Sequence, residues 1–389
     1  MTEPSAIEDI CQSLMTMAGF GEEAPHLTPA LRREYHNRIL MYLSHGYMMV
    51  HGSRLDCPCF VPFVGPVFFW GSPNPDTQIL HASIDPTGSY RISGTRGTTE
   101  IATLMLQASG PAEGAMPGRV LGEVDLDEIE LDDEGRFTVL LSGERPADWQ
   151  GDWLRLDGEV GTLVTRSIAA VPEQTDARFA IERIDRPVAN HAFDSEAWTV
   201  ANRNLLTFCR YISAYLLKLV EGKIQALGTN SDLVYRVMPH GNQTRQFYCE
   251  GLFSLEEGEC LVLEVQIPDR VRYWSVQLFD MLYGSIDFVF HQSSLNGSQA
   301  VVDPDGWVRI VVSATDPGVA NWLDTAGARQ GGIMWRWNEV DHQPAAGVRL
   351  TSIANLRQEL PPETRLVSPQ ERAEVLGARA RAYQLRRRW

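Results

Sequence analysis

Apolar and polar positions alternate along the chain with two different periods. From Thr28 to His51, Leu31, Tyr35, Ile39, Leu43 and Tyr47 recur every three to four residues, the spacing of one face of an amphipathic helix. Thr28 supplies an N-cap and Pro29 a first helical residue that needs no backbone donor. After Pro58 the pattern changes to aromatic runs, Phe60-Val61-Pro62-Phe63 and Val67-Phe68-Phe69-Trp70. Between Gln78 and Gln107, segments rich in Ile, Thr and Leu are separated by Asp85-Pro86-Thr87-Gly88 and Gly94-Thr95-Arg96-Gly97, which predicts strands joined by turns. Further strands are predicted at Phe137–Leu141, Trp153–Leu156 and Gly161–Ala169. The acidic run Asp125–Glu134 has Val124, Leu126, Ile129 and Leu131 interleaved; it lacks the central glycine of a calcium loop and is expected to be a solvated strand edge.

Ser195 to Leu227 returns to the helical period, with Trp198, Leu205, Phe208, Ile212, Tyr215, Leu216, Leu219 and Ile224 on one stripe. A helix that long is expected to break or bend. A second β-rich stretch follows, with strands predicted at Cys260–Gln266, Tyr273–Leu278, Ile286–Phe290 and Val308–Val312 and a tight turn at Asp303-Pro304-Asp305-Gly306. Ser368-Pro369-Gln370-Glu371 is a capping box opening a helix that ends in Arg386-Arg387-Arg388-Trp389, where positive charge complements the helix dipole. No tandem repeat of short period is visible. The expected organisation is a helical segment at 1–55, a β-rich domain at 56–190, a helical connector at 191–230, a second β-rich domain at 231–360 and a helix at 361–389. The fold class is α+β, mainly β.

Charge and composition narrow the function. Thirty-four Lys and Arg against 50 Asp and Glu leave a formal charge of −16, which disfavours a phosphate backbone, so no nucleic-acid partner is expected. With 44% hydrophobic and 22% charged residues the chain has ordinary globular composition. Its most apolar stretch, Leu205–Val220, is interrupted by Arg210 and Lys218, so no membrane span is expected. The opening MTEPSAIEDI is acidic where a secretory leader is basic, which predicts a cytoplasmic protein. Of the six cysteines, Cys57 and Cys59 flank one proline, too close for the usual zinc knuckle or redox pair; reduced, mostly buried thiols are expected. The Asn242-Gln243-Thr244 and Asn296-Gly297-Ser298 patterns would then never meet the glycosylation machinery.

The strong catalytic signatures are missing: no GxSxG, no HExxH and no GxxxxGK[ST]. Gly19-Phe20-Gly21-Glu22-Glu23-Ala24 formally fits a dinucleotide pattern, but no strand precedes it. The histidines at 26, 36, 45, 51, 81, 191, 240, 291 and 342 are scattered singly, so a metal site would have to be assembled from separate strands; neither a metal nor a cofactor is expected. Three clusters of polar residues in apolar surroundings remain, and buried polar groups need partners. The first holds His81, Tyr90, Arg91 and Arg96, able to grip a carboxylate, sulfate or phosphate or, alternatively, to form salt-bridged scaffolding. The second is Tyr273-Trp274-Ser275-Val276-Gln277-Leu278-Phe279-Asp280 with Tyr283 and His291. On a strand, Tyr273, Ser275, Gln277 and Phe279 share one face, and Asp280 ends the apolar face of Trp274, Val276 and Leu278. Asp280 is a candidate acid or base, the alternative being a turn cap or an arginine partner. The third cluster holds Asn321, Trp322 and Asp324 followed by Trp335-Arg336-Trp337, a binding loop or a loop locked on its own backbone.

The strings YWSVQLFD at 273–280, DPDGWVRIVVS at 303–313, DPGVANWLDTAG at 316–327 and MWRW at 334–337 resemble the bacterial family known as domain of unknown function 1214. NPDTQILHASIDPTGSYRISGTRG at 74–97 resembles the N-terminal half of longer members, often paired with domain of unknown function 1254. The resemblance implies two antiparallel β-sandwich or jelly-roll-like domains decorated by helices, in a homo-oligomer; it carries no catalytic set. The residues themselves support a metal-independent acid/base enzyme, of lyase or hydrolase type, acting on a largely apolar molecule such as a steroid, terpenoid or aromatic conjugate. Asp280, His291, Asp324 and His81 would supply the chemistry. Arg91, Arg96, Tyr90, Tyr273, Trp274, Tyr283, Asn321, Trp322 and Arg336 would bind the substrate. The alternatives are a carbohydrate- or lipid-binding module with Trp274, Trp322 and Trp335 as stacking platforms, and an oligomeric scaffold.

Overall fold

The computed structural model describes residues 6–108, 118–187, 195–236 and 243–386. Helix α1 (Ala6–Glu23) leads into α2 (Pro29–Gly52), which the Thr28 hydroxyl caps by accepting from the Leu31 amide at 3.3 Å. Gly21 lies where α1 meets α2, and a Cβ there would come within 2.5 Å of the Tyr35 ring; its glycine serves helix packing, not a nucleotide. Nine strands follow among the described residues: β1 (Val61–Pro62), β2 (Thr77–Ser83), β3 (Tyr90–Thr95), β4 (Ile101–Ala108), β5 (Val120–Asp125), β6 (Arg136–Ser142), β7 (Asp152–Arg155), β8 (Val160–Ile168) and β9 (Arg178–Arg183). After α3 (Ser195–Ala226) come β10 (Val234–Arg236), β11 (Gln246–Ser254), β12 (Glu259–Gln266), β13 (Val271–Phe279), β14 (Ser294–Asn296), β15 (Trp307–Ser313), β16 (Trp322–Asp324), β17 (Gln330–Val340) and β18 (Ala346–Ser352). Helices α4 (Ile353–Glu359) and α5 (Pro369–Arg386) end the described chain.

The strands form two sheets per β-rich domain, and the second domain repeats the first. Sheets ordered β1-β2-β8-β4-β5 and β7-β6-β3-β9 become, with nine added to each number, β10-β11-β17-β13-β14 and β16-β15-β12-β18. Even the single parallel pair recurs, β6 with β7 and β15 with β16. Each domain has one core drawn from both of its sheets: Leu104, Leu106 and Leu163 meet Ile92, Val139 and Leu141 in the first, and Trp274, Val276 and Trp335 meet Leu263, Val308 and Ile310 in the second. Burying such side chains contributes about 1.5–3 kcal/mol each. Local chemistry recurs as well. Asp132–Gly135 and Asp303–Gly306 close the same turn, with the glycine amide donating to the aspartate carbonyl at 2.9 Å in both. Trp153 and Trp322 each donate an indole N–H to the hydroxyl of a strand-end serine, Ser142 and Ser313, at 3.0 Å.

Helices α1, α2 and α3 pack as one layer over the outer faces of both five-stranded sheets, burying Ile79, Met105 and Val164 of the first with Leu252, Phe279 and Met334 of the second. That layer explains why α3 runs unbroken for 32 residues, against the expected bend: its stripe of Leu205, Phe208, Ile212 and Leu216 has a continuous surface to cover. Helix α5 straps the two domains together through arginines one heptad apart. Arg372 pairs with Asp316, Arg379 donates to the Phe288 and Ser294 carbonyls, and Arg386 crosses to Asp176 of the first domain. Arg386 is thus an ion-pair residue rather than only a partner of the helix dipole; Arg387, Arg388 and Trp389 lie outside the described residues.

Two further expectations change. Ile286–Phe290 is not a strand, because the Asp287 carboxylate draws the Val289 and Phe290 amides into a turn. The acidic run is solvated from Asp127 onward, as expected, but only Asp125 lies on a strand, and its first carboxylates are ion-paired. Buried Asp125 holds Arg272, and Asp127 holds Arg96 and Arg272. The six cysteines form no disulfide with one another, with Cys209, Cys249 and Cys260 buried, Cys57 partly so, and Cys11 and Cys59 exposed. Among the described residues no helix is long and apolar enough to cross a membrane.

Candidate functional site

The residues singled out from the sequence do not converge. Asp280 is gripped by both terminal nitrogens of Arg38 from α2 and accepts the Leu282 and Gly284 amides, so it caps a turn and pairs with an arginine. Arg91 pairs with Glu182 across β3 and β9, and Arg96 with Asp127. Tyr90 is a core residue whose hydroxyl bonds the Asp85 backbone. Asn321 locks its loop through the Val301 amide and carbonyl and the Arg309 carbonyl. Trp274 stacks in the core with Trp335 and Trp337, and Trp322 lies under the Arg372 guanidinium. With Trp274, Trp322 and Trp335 all buried, they offer no exposed stacking face. His291 and Asp324 do meet, Nδ1 to Oδ2 at 2.7 Å, but apart from His81 and Asp280. Tyr273 donates to Asp76 Oδ2 at 2.8 Å and accepts from Asn74, bolting one domain to the other.

Of these residues, only Tyr283 and Arg336 line a cleft of about 130 Å³ between the domains under α3. Its walls come from equivalent places in the two sheets. In the first, Arg166 on the central strand β8 stands beside Ile79 and Thr103; in the second, Arg336 on the central strand β17 stands beside Tyr248 and Ser275. Strand alternation turns these side chains away from each domain core and toward the cleft. Leu216, Leu219 and Tyr215 of α3 roof it, and Phe63, Trp70 and Ser72 close one side. Arg336 is held in place by donating to Gln277 Oε1 at 2.5 Å and to the Ser72 carbonyl at 2.6 Å, with its guanidinium over the Tyr248 ring. Gln277 is anchored in turn by the hydroxyls of Ser72 and Ser285. Burial lowers the pKa of Arg166, and the nearby Arg336 adds to that lowering.

Two buried polar groups flank the cleft. On the second sheet, Tyr283 donates to Glu250 Oε1 at 3.3 Å while Lys223 of α3 forms an ion pair with the same carboxylate. Burial lowers the Lys223 pKa and raises that of Tyr283, whose backbone sits at φ +58°, a conformation rare outside glycine and often found at functional sites. On the first sheet, His81 occupies the register of Glu250, beside Val164 and Met105, stacked on Phe63. Both of its ring nitrogens are buried without partners. His45 of α2 accepts the Trp70 indole N–H at 3.0 Å, and burial drives both imidazoles down to a pKa of about 3. Among the described residues, no group of three His, Cys, Asp or Glu is placed to hold a metal; His191 and His240 lie outside them.

Sequence reading missed Arg166, Tyr248, Lys223 and Glu250. Their only signal was a charged or phenolic residue inside an apolar strand or helix face, as at Val164-Thr165-Arg166 and Phe247-Tyr248-Cys249-Glu250.

The fold has a counterpart among solved structures. No curated protein sequence matches the chain. An uncharacterized protein from Burkholderia cenocepacia has a similar crystal structure, with a TM-score of 0.82, 26% identity, and coverage of 90% of this chain and 97% of that one. A Vibrio parahaemolyticus protein matches at a TM-score of 0.46 and 13% identity over 86% of this chain and 100% of that one. Residues 256–339 match the family described as protein of unknown function (DUF1214).

Proposed function

We propose that the protein holds a largely apolar small molecule in the interdomain cleft and transforms it by acid/base chemistry of the lyase or hydrolase type, Tyr283 and Glu250 supplying the proton-handling groups. The observation that carries this reading is the cleft itself: apolar walls with a few convergent polar groups, one of them a tyrosine in a strained backbone conformation. Lys223 orients Glu250 through their ion pair. The test is native mass spectrometry of the purified protein beside a Leu216→Trp variant that fills the cleft. A bound apolar molecule present in the first and absent from the second is expected; equal retention by both would sink the reading. Loss of turnover in Tyr283→Phe with the molecule still bound would mark an enzyme. A non-catalytic lipid carrier is the second reading, favoured by the apolar roof of Leu216 and Leu219.

The same proposal takes each pair of sheets as a β-sandwich, supported by its single shared core, and residues 74–97 as 1254-like, supported by the strings quoted above. It also takes the chain as a cytoplasmic homo-oligomer. Six cysteines outside any disulfide and the exposed Met15, Leu40, Tyr47 and Trp198 of α1 to α3 support that.

A further inference from the structure

We infer that the molecule in the cleft is an amphipathic monoanion, an apolar body ending in one carboxylate, with the carboxylate at Arg336; this rests on the cleft being the ligand site. Arg336 is only 5% exposed, yet both of its anchoring acceptors, Gln277 Oε1 and the Ser72 carbonyl, are neutral. Among the described residues no carboxylate lies within ion-pair distance of it. Other buried arginines are treated differently: Arg38, Arg183 and Arg372 each meet an aspartate. Arg379 also lacks a carboxylate among the described residues, but it spends its nitrogens on the Phe288 and Ser294 carbonyls and the Ser294 hydroxyl and lines no part of the cleft. A buried cation without a counter-charge is unfavourable, and here a second guanidinium, Arg166, lines the same cavity.

The carboxylates nearby are engaged elsewhere. Glu250 is held by Lys223 and Tyr283, and Glu123, whose carboxylate accepts from Thr244, favours the charge of Arg166; neither is within ion-pair distance of Arg336. An anion supplied by the ligand completes the charge balance. The forked geometry of guanidinium matches a carboxylate, and the rest of the wall, Phe63, Trp70, Ile79, Leu216, Leu219 and Met334, suits a hydrocarbon or ring body rather than a second charged group.

Isothermal titration of the full chain with octanoate, with 1-octanol and with inorganic phosphate tests this. Octanoate is expected to bind at least tenfold more tightly than octanol, and phosphate not at all. Arg336→Gln should abolish the preference for octanoate while leaving octanol binding unchanged; should that variant not fold by circular dichroism, Arg166→Gln is the substitute and should weaken octanoate selectively. Equal affinity of the wild-type chain for octanoate and octanol, with both lost in Leu216→Trp, would overturn the anion and leave the cleft standing. Phosphate binding that displaces octanoate would overturn the carboxylate. No binding of either eight-carbon probe would remove the cleft reading along with it.

Discussion

Beside the central arginine of the first five-stranded sheet stands His81, neutral and pressed against Phe63; at the same register of the second sheet stands Glu250, in an ion pair with Lys223. The neighbours differ in the same sense, Ile79 and Val164 on one side and Tyr248 and Met334 on the other. What the two domains keep in common is mechanical: the aspartate–glycine turn, the tryptophan–serine lock and an arginine on the middle strand. What they changed is the chemistry around that arginine. A repeated backbone plan therefore sets where side chains project, while the second sheet carries Tyr248 and an ion pair where the first carries Ile79 and a neutral imidazole.

The largest difference between the walls should appear when each is stripped of its polar group. Lys223→Met leaves Glu250 fully buried with only the more distant Arg236, at 3.8 Å, as a cation, and removing one member of a buried pair costs about 3–5 kcal/mol, here toward the lower end. His81→Leu removes two ring nitrogens that have no hydrogen-bond partner, so it should cost less than about 1 kcal/mol or stabilise, because an unsatisfied buried polar group is itself unfavourable. Urea unfolding of the two variants measures both. Similar losses would mean that the walls are energetically alike.

Acid should widen the gap between the two variants. His45 and His81 have folded pKa values of about 3 against about 6.5 unfolded. The unfolded chain binds the extra protons, so the stability they contribute is complete above pH 6.5 and is lost as pH falls toward 3. At pH 5 each costs about 2 kcal/mol relative to pH 7. His81→Leu should therefore flatten the unfolding free energy between pH 7 and 5 by about that amount, and an unchanged slope would show that His81 is protonated in the folded state.

The secondary structure that positions these walls was largely legible. Thr28-Pro29 and Ser368-Pro369-Gln370-Glu371 start helices where their chemistry says they should, and the alternation at 273–279 correctly separated the core face, Trp274, Val276 and Leu278, from the face carrying Tyr273 and Gln277. The cleft was not legible, because Arg166 and Arg336 become neighbours only through the pairing of two sheets. The repeat was hidden for a related reason. Asp132-Asp133-Glu134-Gly135 and Asp303-Pro304-Asp305-Gly306 precede strands ending in Ser142 and Ser313, but a period spanning a whole domain with so few identities is invisible to a search for short repeats. Asp280 misled because an acid at the end of an apolar strand looks alike whether it serves catalysis or, as here, a turn and Arg38.

The tryptophan locks give a finer comparison. Trp322 is buried, donates to both the carbonyl and the hydroxyl of Ser313 and lies under Arg372, whereas Trp153 is only partly buried and donates to the Ser142 hydroxyl alone. Each Phe substitution forfeits the indole hydrogen bond, about 1 kcal/mol net, and Trp322→Phe, although the Ser313 carbonyl keeps the Thr325 amide, adds the loss of buried ring area under Arg372, for a total of about 2 kcal/mol. Thermal unfolding of both variants should rank Trp322→Phe as the more damaging.

The smallest effect is the cleanest test of whether the two domains share one plan. Gly135 and Gly306 sit at φ +71° and +84°, and at neither would an added Cβ meet another atom within 4 Å. Substitution by alanine therefore has no steric component, only the conformational penalty of placing an L-residue in the left-handed region, about 1–2 kcal/mol. Because the hydrogen-bonding frame is the same in both turns, with Asp132 and Asp303 each accepting the glycine amide at 2.9 Å, Gly135→Ala and Gly306→Ala should lower the unfolding temperature by the same increment and should add when combined. Unequal increments would show that the turns are similar in outline only, and that the likeness of the two domains stops at strand order.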